Sequence, residues 1–225
     1  MSVDIRVYGI LDPAATPGAD LAALARLAAH GGATLLQYRD KHADGRLMVE
    51  RSRAILSALE GLGVPLLVND RVDVAIAAGA QGVHLGQSDI LPTDARAMLG
   101  GSAIIGRTIT KDGHIRAMAD EPVDYGCIGG VFPTVNKDDA EKPIGVEGLA
   151  RLAAVAREIT PQIPVGAIAG IDETNAGEVI AAGATGIAVI GAIFSRPDPK
   201  SAAEGLRRIV DGALAARATK KAALG

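Results

Sequence analysis

The chain repeats one joint between a helix and a strand three times: Ala28-Ala-His-Gly-Gly-Ala-Thr-Leu-Leu36, Ala77-Ala-Gly-Ala-Gln-Gly-Val-His84 and Ala181-Ala-Gly-Ala-Thr-Gly-Ile-Ala188. In each copy, small residues end a helix, a glycine takes the left-handed conformation that stops it, and an apolar strand begins at once. The copies are separated by whole numbers of units of roughly 25 residues, which suits one strand and one helix. Eight such units account for the whole chain.

Around these joints, short apolar stretches alternate with longer amphipathic ones. Strands are predicted near residues 7–12, 34–39, 65–69, 82–86, 103–108, 125–131, 164–169 and 186–191. Helices are predicted near residues 19–30, 45–60, 72–78, 93–99, 112–119, 146–159, 174–182 and 198–216. Strict alternation implies parallel pairing, so we predict the α/β class and a single (β/α)₈ TIM barrel. A doubly wound open sheet is the alternative, although residues 11–18 lack the Gly-x-Gly-x-x-Gly fingerprint of dinucleotide binding.

Length and composition limit the class of protein. The chain has 225 residues, 48% hydrophobic, and a formal net charge of −3, which supports one substantial core and gives no basic face for nucleic acid. Its one cysteine, Cys127, excludes an internal disulfide. We find no basic leader and no apolar stretch of ~18 residues, so we predict no membrane partner and a cytoplasmic location. The barrel is predicted to span residues 1–218, followed by a flexible C-terminal tail at residues 219–225.

Polar residues gather where the second, third and fourth strands end. Asp70 closes Pro65-Leu-Leu-Val-Asn-Asp70, and Asp89 closes the segment that begins at Gly82. After the second strand, Gln37, Arg39 and Lys41 recur at period two, so their side chains point the same way. Carboxylates beside cations are what a metal-bound phosphate or pyrophosphate needs. The alternative is an ion network at the barrel rim with no catalytic role.

The last three loops predict a second group of binding residues. Gly170 and Gly191 follow the seventh and eighth strands, where barrels commonly bind phosphate, and glycine lets backbone amides approach an anion. The sixth loop is long and polar, as in a lid, and its first residues, Thr134, Asn136 and Lys137, are the predicted functional ones. No histidine is predicted to be catalytic.

These residues carry a resemblance that covers nearly the whole chain. The motifs are Gln37-x-Arg39-x-Lys41, Asn69-Asp70, His84-Leu-Gly-Gln-Ser-Asp89, Gly129-Gly-Val-Phe-Pro-Thr134 with Lys137, Ala169-Gly-Ile171 and Ile190-Gly-Ala192. Their ordered set resembles the thiamine phosphate synthase family. The resemblance implies a transferase that joins hydroxymethylpyrimidine pyrophosphate to thiazole phosphate, releases pyrophosphate and uses Mg²⁺. It also suggests a homodimer.

The resemblance assigns a role to each site residue. It implies that Asp70 and Asp89 hold Mg²⁺ and that Arg39, Lys41, Lys137 and Thr108 are catalytic. The residues assigned to substrate binding are Gln37, Tyr38, Asp40, Asn69, Thr134, Val135, Asn136, Gly170, Ile190 and Gly191. Of these, Gln37 and Asn69 are expected to hold the pyrimidine, and Thr134, Asn136, Gly170, Ile190 and Gly191 the thiazole phosphate.

The chain departs from the family pattern after the fifth strand. Where the family usually shows Gly-x-Ser-x-His, this chain has Gly106-Arg-Thr-Ile-Thr110, so Thr108 keeps a hydroxyl and Thr110 replaces the histidine. Gly191 also stands where serine is usual. The alternatives are a thiazole tautomerase-like isomerase, which would need a proton-moving histidine that Thr110 cannot replace, and a phosphate-binding barrel without catalysis.

Overall fold

The computed structural model describes residues 3–134 and 142–224, and in this part of the chain eight parallel strands close into a barrel in sequence order. The strands are β1 (Val7–Leu11), β2 (Leu35–Tyr38), β3 (Leu66–Asn69), β4 (Gly82–Leu85), β5 (Ile104–Ile109), β6 (Tyr125–Ile128), β7 (Val165–Ile168) and β8 (Ile187–Val189). Strand β1 pairs with β2 on one side and with β8 on the other. This closure confirms the predicted barrel and excludes the open sheet.

The helices surround the barrel, and each of the first seven follows its strand. They are α1 (Leu21–His30), α2 (Gly45–Ala58), α3 (Val72–Ala78), α4 (Pro92–Leu99), α5 (Asp112–Met118), α6 (Gly145–Ile159), α7 (Ala176–Ala181), α8 (Gly191–Phe194) and α9 (Pro199–Leu224). Gly79 ends α3 at φ 79°, and its amide donates to the Ala75 carbonyl oxygen, as the repeated joint predicts. None of the helices in the described residues is long and apolar enough to cross a membrane.

Side chains alternate along each strand between the barrel interior and the layer beneath the helices. The interior cluster contains Ile5, Tyr8, Ile10, Leu35, Leu67, Tyr125, Cys127 and Ala188. The larger outer layer contains the intervening residues, such as Val7, Leu36 and Val68. Gly106 leaves room for the ring of Tyr125, because a Cβ atom there would approach the ring to 2.1 Å. The absence of a side chain at Gly106 therefore lets Tyr125 fit inside the barrel beside Tyr8.

The C-terminal part differs from the prediction in two places. Strand β8 ends at Val189, and the short helix α8 follows immediately, whereas the sequence pattern extends the strand to residue 191. Helix α9 runs to Leu224 instead of ending near residue 216. Its Ala-, Arg- and Lys-rich end has high helix propensity, and Arg217 donates to the carbonyl oxygens of Ile180 and Ala184. Residues 219–224 are helical, and the flexibility of the tail and the domain boundary at 218 stay predictions.

Candidate active site

Charged side chains gather at the ends of β1 to β4. Lys41 forms an ion pair with Asp70, and Arg39 forms another with Asp12 at the end of β1. Asp12 is almost fully buried, and its other carboxylate oxygen accepts the amide of Ala14 at 3.0 Å, so it is both a turn former and a rim acid. The ion network expected at the rim is thus present as two separate ion pairs, Arg39 with Asp12 and Lys41 with Asp70. We call Asp12, Arg39, Lys41, Asp70 and Asp89 the charged side.

Asp70 and Asp89 lie side by side although different strands carry them. Asp70 has a φ of 62° directly after β3, and its amide donates to the carbonyl oxygen of His84 at 2.9 Å. Asp89 turns back in the loop after β4, where its Oδ2 accepts the amide of Gly86 at 2.6 Å. Burial and then the adjacent carboxyl group of Asp70 raise the pKa of Asp89. Because two neighbouring carboxylates repel each other, a cation between them is favourable.

This carboxylate pair, Asp70 and Asp89, suits Mg²⁺. Among residues 3–134 and 142–224, no group of three or more His, Cys, Asp or Glu side chains is arranged to hold a metal. Mg²⁺ does not need such a group, since it is commonly held by one or two carboxylates together with water and substrate phosphates. Two hard oxygen donors beside Lys41 therefore fit a magnesium ion that binds together with a phosphorylated substrate.

Below the rim, a chain of hydrogen bonds crosses the barrel interior. Gln37 donates to Tyr8 Oη, and Tyr125 Oη donates to Tyr8 Oη at 2.8 Å. His84 Nδ1 lies 2.8 Å from Tyr125 Oη, and His84 Nε2 lies 2.9 Å from Thr108 Oγ1. The network joins Gln37 and Thr108, two predicted site residues, through three side chains to which the sequence pattern assigns no role. The only signal for the two tyrosines is their inward position in a chain that has just three.

The histidine of this network is neutral. Burial lowers the pKa of His84 to about 4. A neutral imidazole has one N–H, so one ring nitrogen donates and the other accepts. Because Nδ1 contacts Tyr125 Oη and Nε2 contacts Thr108 Oγ1, the tautomer of His84 sets the orientation of the Thr108 hydroxyl. The network therefore holds a polar group in a defined direction at the top of β5.

Tyr38 and Asp40 lie on the other face of β2 from Gln37. Tyr38 is fully buried in the outer layer, and its Oη donates to Asp40 Oδ2 at 3.1 Å. Asp40 also accepts two backbone amides of the loop after β2 and pairs with Arg51 of α2 at 2.7 Å. Although burial opposes its charge, these amides lower the pKa of Asp40. The two side chains thus hold the loop, and substrate contact at these positions would run through the backbone.

Asn69 lies where it was predicted. It is the last residue of β3, and it pairs in register with His84 of β4. By alternation with Leu67, which belongs to the interior cluster, its side chain faces inward. It is half-buried and directly precedes Asp70 of the carboxylate pair.

A second part of the rim is built from backbone. The amide of Phe132 donates to the carbonyl oxygen of Ala169 at 3.1 Å, so the loop after β6 runs beside the end of β7. Gly170 has a φ of 63°, and a Cβ atom there would approach the Pro133 carbonyl oxygen to 2.5 Å. Thr134 is the next residue after Pro133 in this loop. Val135, Asn136 and Lys137 lie outside the described residues.

Helix α8 places the last two predicted residues. Ile190 precedes its first turn, and its carbonyl oxygen accepts the amides of Ile193 and Phe194 at 3.2 and 3.0 Å. Gly191 is the first helical residue. Barrels commonly bind phosphate between the loops after strands 7 and 8 and the start of a short extra helix, where amides lack helical partners. We call Thr134, Gly170, Ile190 and Gly191 the glycine side.

Known proteins match the chain over nearly its whole length. The family model described as thiamine monophosphate synthase matches residues 7–193. The thiamine-phosphate synthase of Agrobacterium fabrum is 51% identical over 215 residues, which cover 96% of this chain and 98% of that protein. The thiamine-phosphate synthase of Azorhizobium caulinodans is 41% identical over 92% of this chain and 96% of its own. A thiamine phosphate pyrophosphorylase structure from Pyrococcus furiosus has a TM-score of 0.82 at 35% identity, covering 94% of this chain and 98% of that one.

Proposed function

The chain belongs to the thiamine monophosphate synthase family, and we propose that it is a transferase that joins hydroxymethylpyrimidine pyrophosphate to thiazole phosphate. The products are thiamine phosphate and pyrophosphate. The observation that carries this proposal is the division of the rim. The charged side combines the carboxylate pair with Arg39 and Lys41, which suits a metal-bound pyrophosphate. On the glycine side, backbone amides can donate hydrogen bonds to a phosphate.

The first step is the departure of pyrophosphate. The bond between the pyrimidine methylene carbon and the pyrophosphate oxygen breaks, and its electron pair leaves with the oxygen. Mg²⁺, when bound by Asp70 and Asp89, supplies positive charge to this leaving group. Arg39, Lys41 and, as predicted from the sequence, Lys137 provide further cations for the same oxygens. Lys41 stands beside Asp70 and so can contact a phosphate bound at the carboxylate pair.

The second step forms the new bond. The methylene carbon is left as a cation stabilised by the pyrimidine, and the lone pair of the thiazole nitrogen adds to it. Gln37, Asn69 and Thr108 line the interior below the carboxylate pair, where they can bind the polar edges of the pyrimidine. No base is needed, because the attacking nitrogen carries no proton. This agrees with a neutral His84.

The thiazole phosphate is assigned to the glycine side. Gly170, Ile190 and Gly191 would bind its phosphate mainly through backbone amides, with Thr134 and the predicted Val135 and Asn136 completing the site. No observation favours the tautomerase or the non-catalytic barrel. The cytoplasmic location and the homodimer remain part of the proposal, and gel filtration with light scattering tests the latter.

The test is pyrophosphate release by the purified protein. Both substrates are supplied with Mg²⁺ or with EDTA, and thiamine phosphate is measured in the same samples by chromatography. We expect equal amounts of the two products, formed only with the metal. Omission of thiazole phosphate is the control for simple hydrolysis. A folded protein that converts thiazole phosphate to an isomer, or makes no product at all, contradicts the proposal.

A further inference from the structure

A buried arginine lies behind the carboxylate pair. Arg107 is in β5 between Ile105 and Ile109, both of which belong to the outer layer. By alternation its side chain also points outward, away from the barrel interior and from the substrates. It is only 5% exposed. Alternation along β5 predicts this outward direction, but it does not predict which groups the guanidinium contacts.

The guanidinium group of Arg107 binds the loop that carries Asp89. Nη1 donates to the carbonyl oxygen of Gly86 at 2.6 Å, and Nη2 lies 3.4 Å from Oε1 of Gln87. Gln87 in turn donates through Nε2 to the carbonyl oxygen of Thr108 at 2.5 Å. The loop after β4 is therefore fastened to β5 at two consecutive residues.

Gly86 connects this arginine to the metal site. Its carbonyl oxygen accepts from Arg107, while its amide donates to Asp89 Oδ2 at 2.6 Å. A Cβ atom at Gly86 would approach Asp89 Oδ2 to 2.9 Å, so the carboxylate lies directly on this residue. A shift of Gly86 would therefore move Asp89 relative to Asp70.

Burying the guanidinium charge of Arg107 costs free energy, so a particular contact must explain why an arginine stands here. The only carboxylate paired with Arg107 in the described residues is Glu121, at 3.6 Å from Nε. A buried ion pair of this kind is weak evidence for stability, since desolvation offsets much of the attraction. An apolar residue would fill the same place in the outer layer without that cost. What it would not supply is the bond to Gly86.

We propose that Arg107 is a positioning residue that sets the metal affinity of the carboxylate pair by fixing Gly86 and, through it, Asp89. The inference rests on the proposed function, since it assumes that Asp70 and Asp89 hold the metal. Groups that orient metal ligands typically contribute about 10- to 100-fold to metal affinity.

The test measures metal binding directly. Free Mn²⁺ is followed by electron paramagnetic resonance in titrations of the wild type, Arg107→Met and Asp89→Asn with pyrophosphate, and a protein-free titration at the same pyrophosphate concentration is subtracted because pyrophosphate itself binds Mn²⁺. We expect Arg107→Met to bind Mn²⁺ about tenfold more weakly and Arg107→Lys, which retains one donor, to lie between it and the wild type. In turnover assays, Arg107→Met should raise the Mg²⁺ concentration at half-maximal rate and leave kcat at saturating Mg²⁺ within about threefold.

Two further variants separate positioning from a general loss of structure. Arg96→Met is the matched control, because Arg96 also donates to backbone carbonyls, those of Ala103 and Pro122, but in loops that precede β5 and β6 at the opposite end of the barrel. It should lower thermal stability and leave Mn²⁺ affinity unchanged. Gln87→Ala removes an exposed partner of Arg107 without changing the core, so it should weaken Mn²⁺ binding a few-fold even if Arg107→Met does not fold.

The outcomes distinguish the two proposals. If wild type and Asp89→Asn bind Mn²⁺ equally, the metal assignment in the proposed function fails. If Asp89→Asn loses binding while Arg107→Met and Gln87→Ala bind like the wild type, the metal site stands and the role of Arg107 is overturned. That role is also overturned if Arg96→Met weakens binding as much as Arg107→Met.

Discussion

Strands β3 and β7 end in the same unusual backbone conformation, and yet the proposed function assigns them opposite kinds of chemistry. The residue directly after each strand is a non-glycine residue at positive φ: Asp70, at 62°, follows β3, and Ala169, at 93°, follows β7. No other non-glycine residue in the described part of the chain has a positive φ. At β3 the turn presents a carboxylate beside Lys41 and Asp89. At β7 it presents no functional side chain, and it brings Gly170 against the loop after β6.

Under the proposed function, the same backbone conformation supports two different anion sites. Strained backbone conformations cluster at functional sites, because they direct groups that regular structure would point elsewhere. On the charged side, the turn directs a side chain, so the chemistry depends on charge. On the glycine side, the turn places Gly170 against the loop after β6, so phosphate binding there should depend on the shape of the backbone. Substitutions should therefore act through charge on one side and through shape on the other.

The largest effect is expected from removing charge at β3. Asp70→Asn keeps a residue that tolerates positive φ but removes the negative charge, so the fold should persist while metal binding fails. We expect pyrophosphate release to fall at least about 100-fold, with thermal stability nearly unchanged. Steady-state assays across a range of Mg²⁺ concentrations measure the loss.

Asp73→Asn is the matched control for this variant. Asp73 lies three residues further on in α3, is well exposed and pairs with Arg71. It should retain almost full activity. Equal losses in the two variants would mean that general electrostatics, and not metal binding, explains the effect of Asp70.

The second effect tests shape at β7. Gly170→Ala puts a Cβ atom 2.5 Å from the Pro133 carbonyl oxygen, on a backbone at φ 63°. The loop after β6 must move, so the KM for thiazole phosphate should rise about tenfold or more, at a stability cost of about 1–3 kcal/mol. Gly79→Ala isolates the backbone cost, since Gly79 has φ 79° and open space around it. A Gly79→Ala variant that raises this KM equally would refute the steric explanation.

A smaller effect is expected where a hydroxyl is added to the glycine side. A Cβ atom at Gly191 would lie 3.4 Å from Ser195 Oγ, an ordinary contact, so Gly191→Ser should be accommodated without strain. The new hydroxyl can donate to a bound phosphate and should lower the KM for thiazole phosphate about threefold to tenfold. The KM for the pyrimidine substrate should not change. Gly191→Ala is the control, and identical behaviour of the two variants would show that the hydroxyl makes no contact.

The sequence predicts the charged side better than the rest of the site, for a physical reason. Strands of a barrel all end at one rim, so polar residues at strand ends, such as Asp70 and Lys41, are brought together by topology alone. The choice of partner is different. Arg39 pairs with Asp12 because of side-chain directions that periodicity does not contain.

Other parts of the site depend on contacts that no local pattern records. The hydrogen bond between Tyr8 and Tyr125 joins residues 117 positions apart. Arg107 lies in the outer layer by simple alternation, but its partner is a loop carbonyl. Helix α8 has four residues, too few for a helical period to be visible. The repeated Ala-Gly joints, in contrast, determine the order of strands and helices through local geometry.

The smallest effect addresses the strained turn itself. An alanine at φ 93° destabilises the folded state by roughly 1–2 kcal/mol, and glycine relieves that strain. Glycine also raises the entropy of the unfolded chain, which destabilises the folded protein by about 0.4–1 kcal/mol and offsets part of the gain. Ala169→Gly should therefore stabilise the protein by about 0.5–1 kcal/mol, raise Tm by roughly 1–4 °C and leave both KM values within about twofold. Asp70→Gly makes the corresponding change at β3, where Asp70 has φ 62°, yet it should abolish turnover as Asp70→Asn does. Calorimetry of the two variants, with activity measured alongside, separates the effect of the backbone turn on stability from the effect of the side chain on turnover. A fall in Tm for Ala169→Gly would contradict the expectation. It would mean that packing of the half-buried methyl group stabilises the protein more than the backbone strain destabilises it.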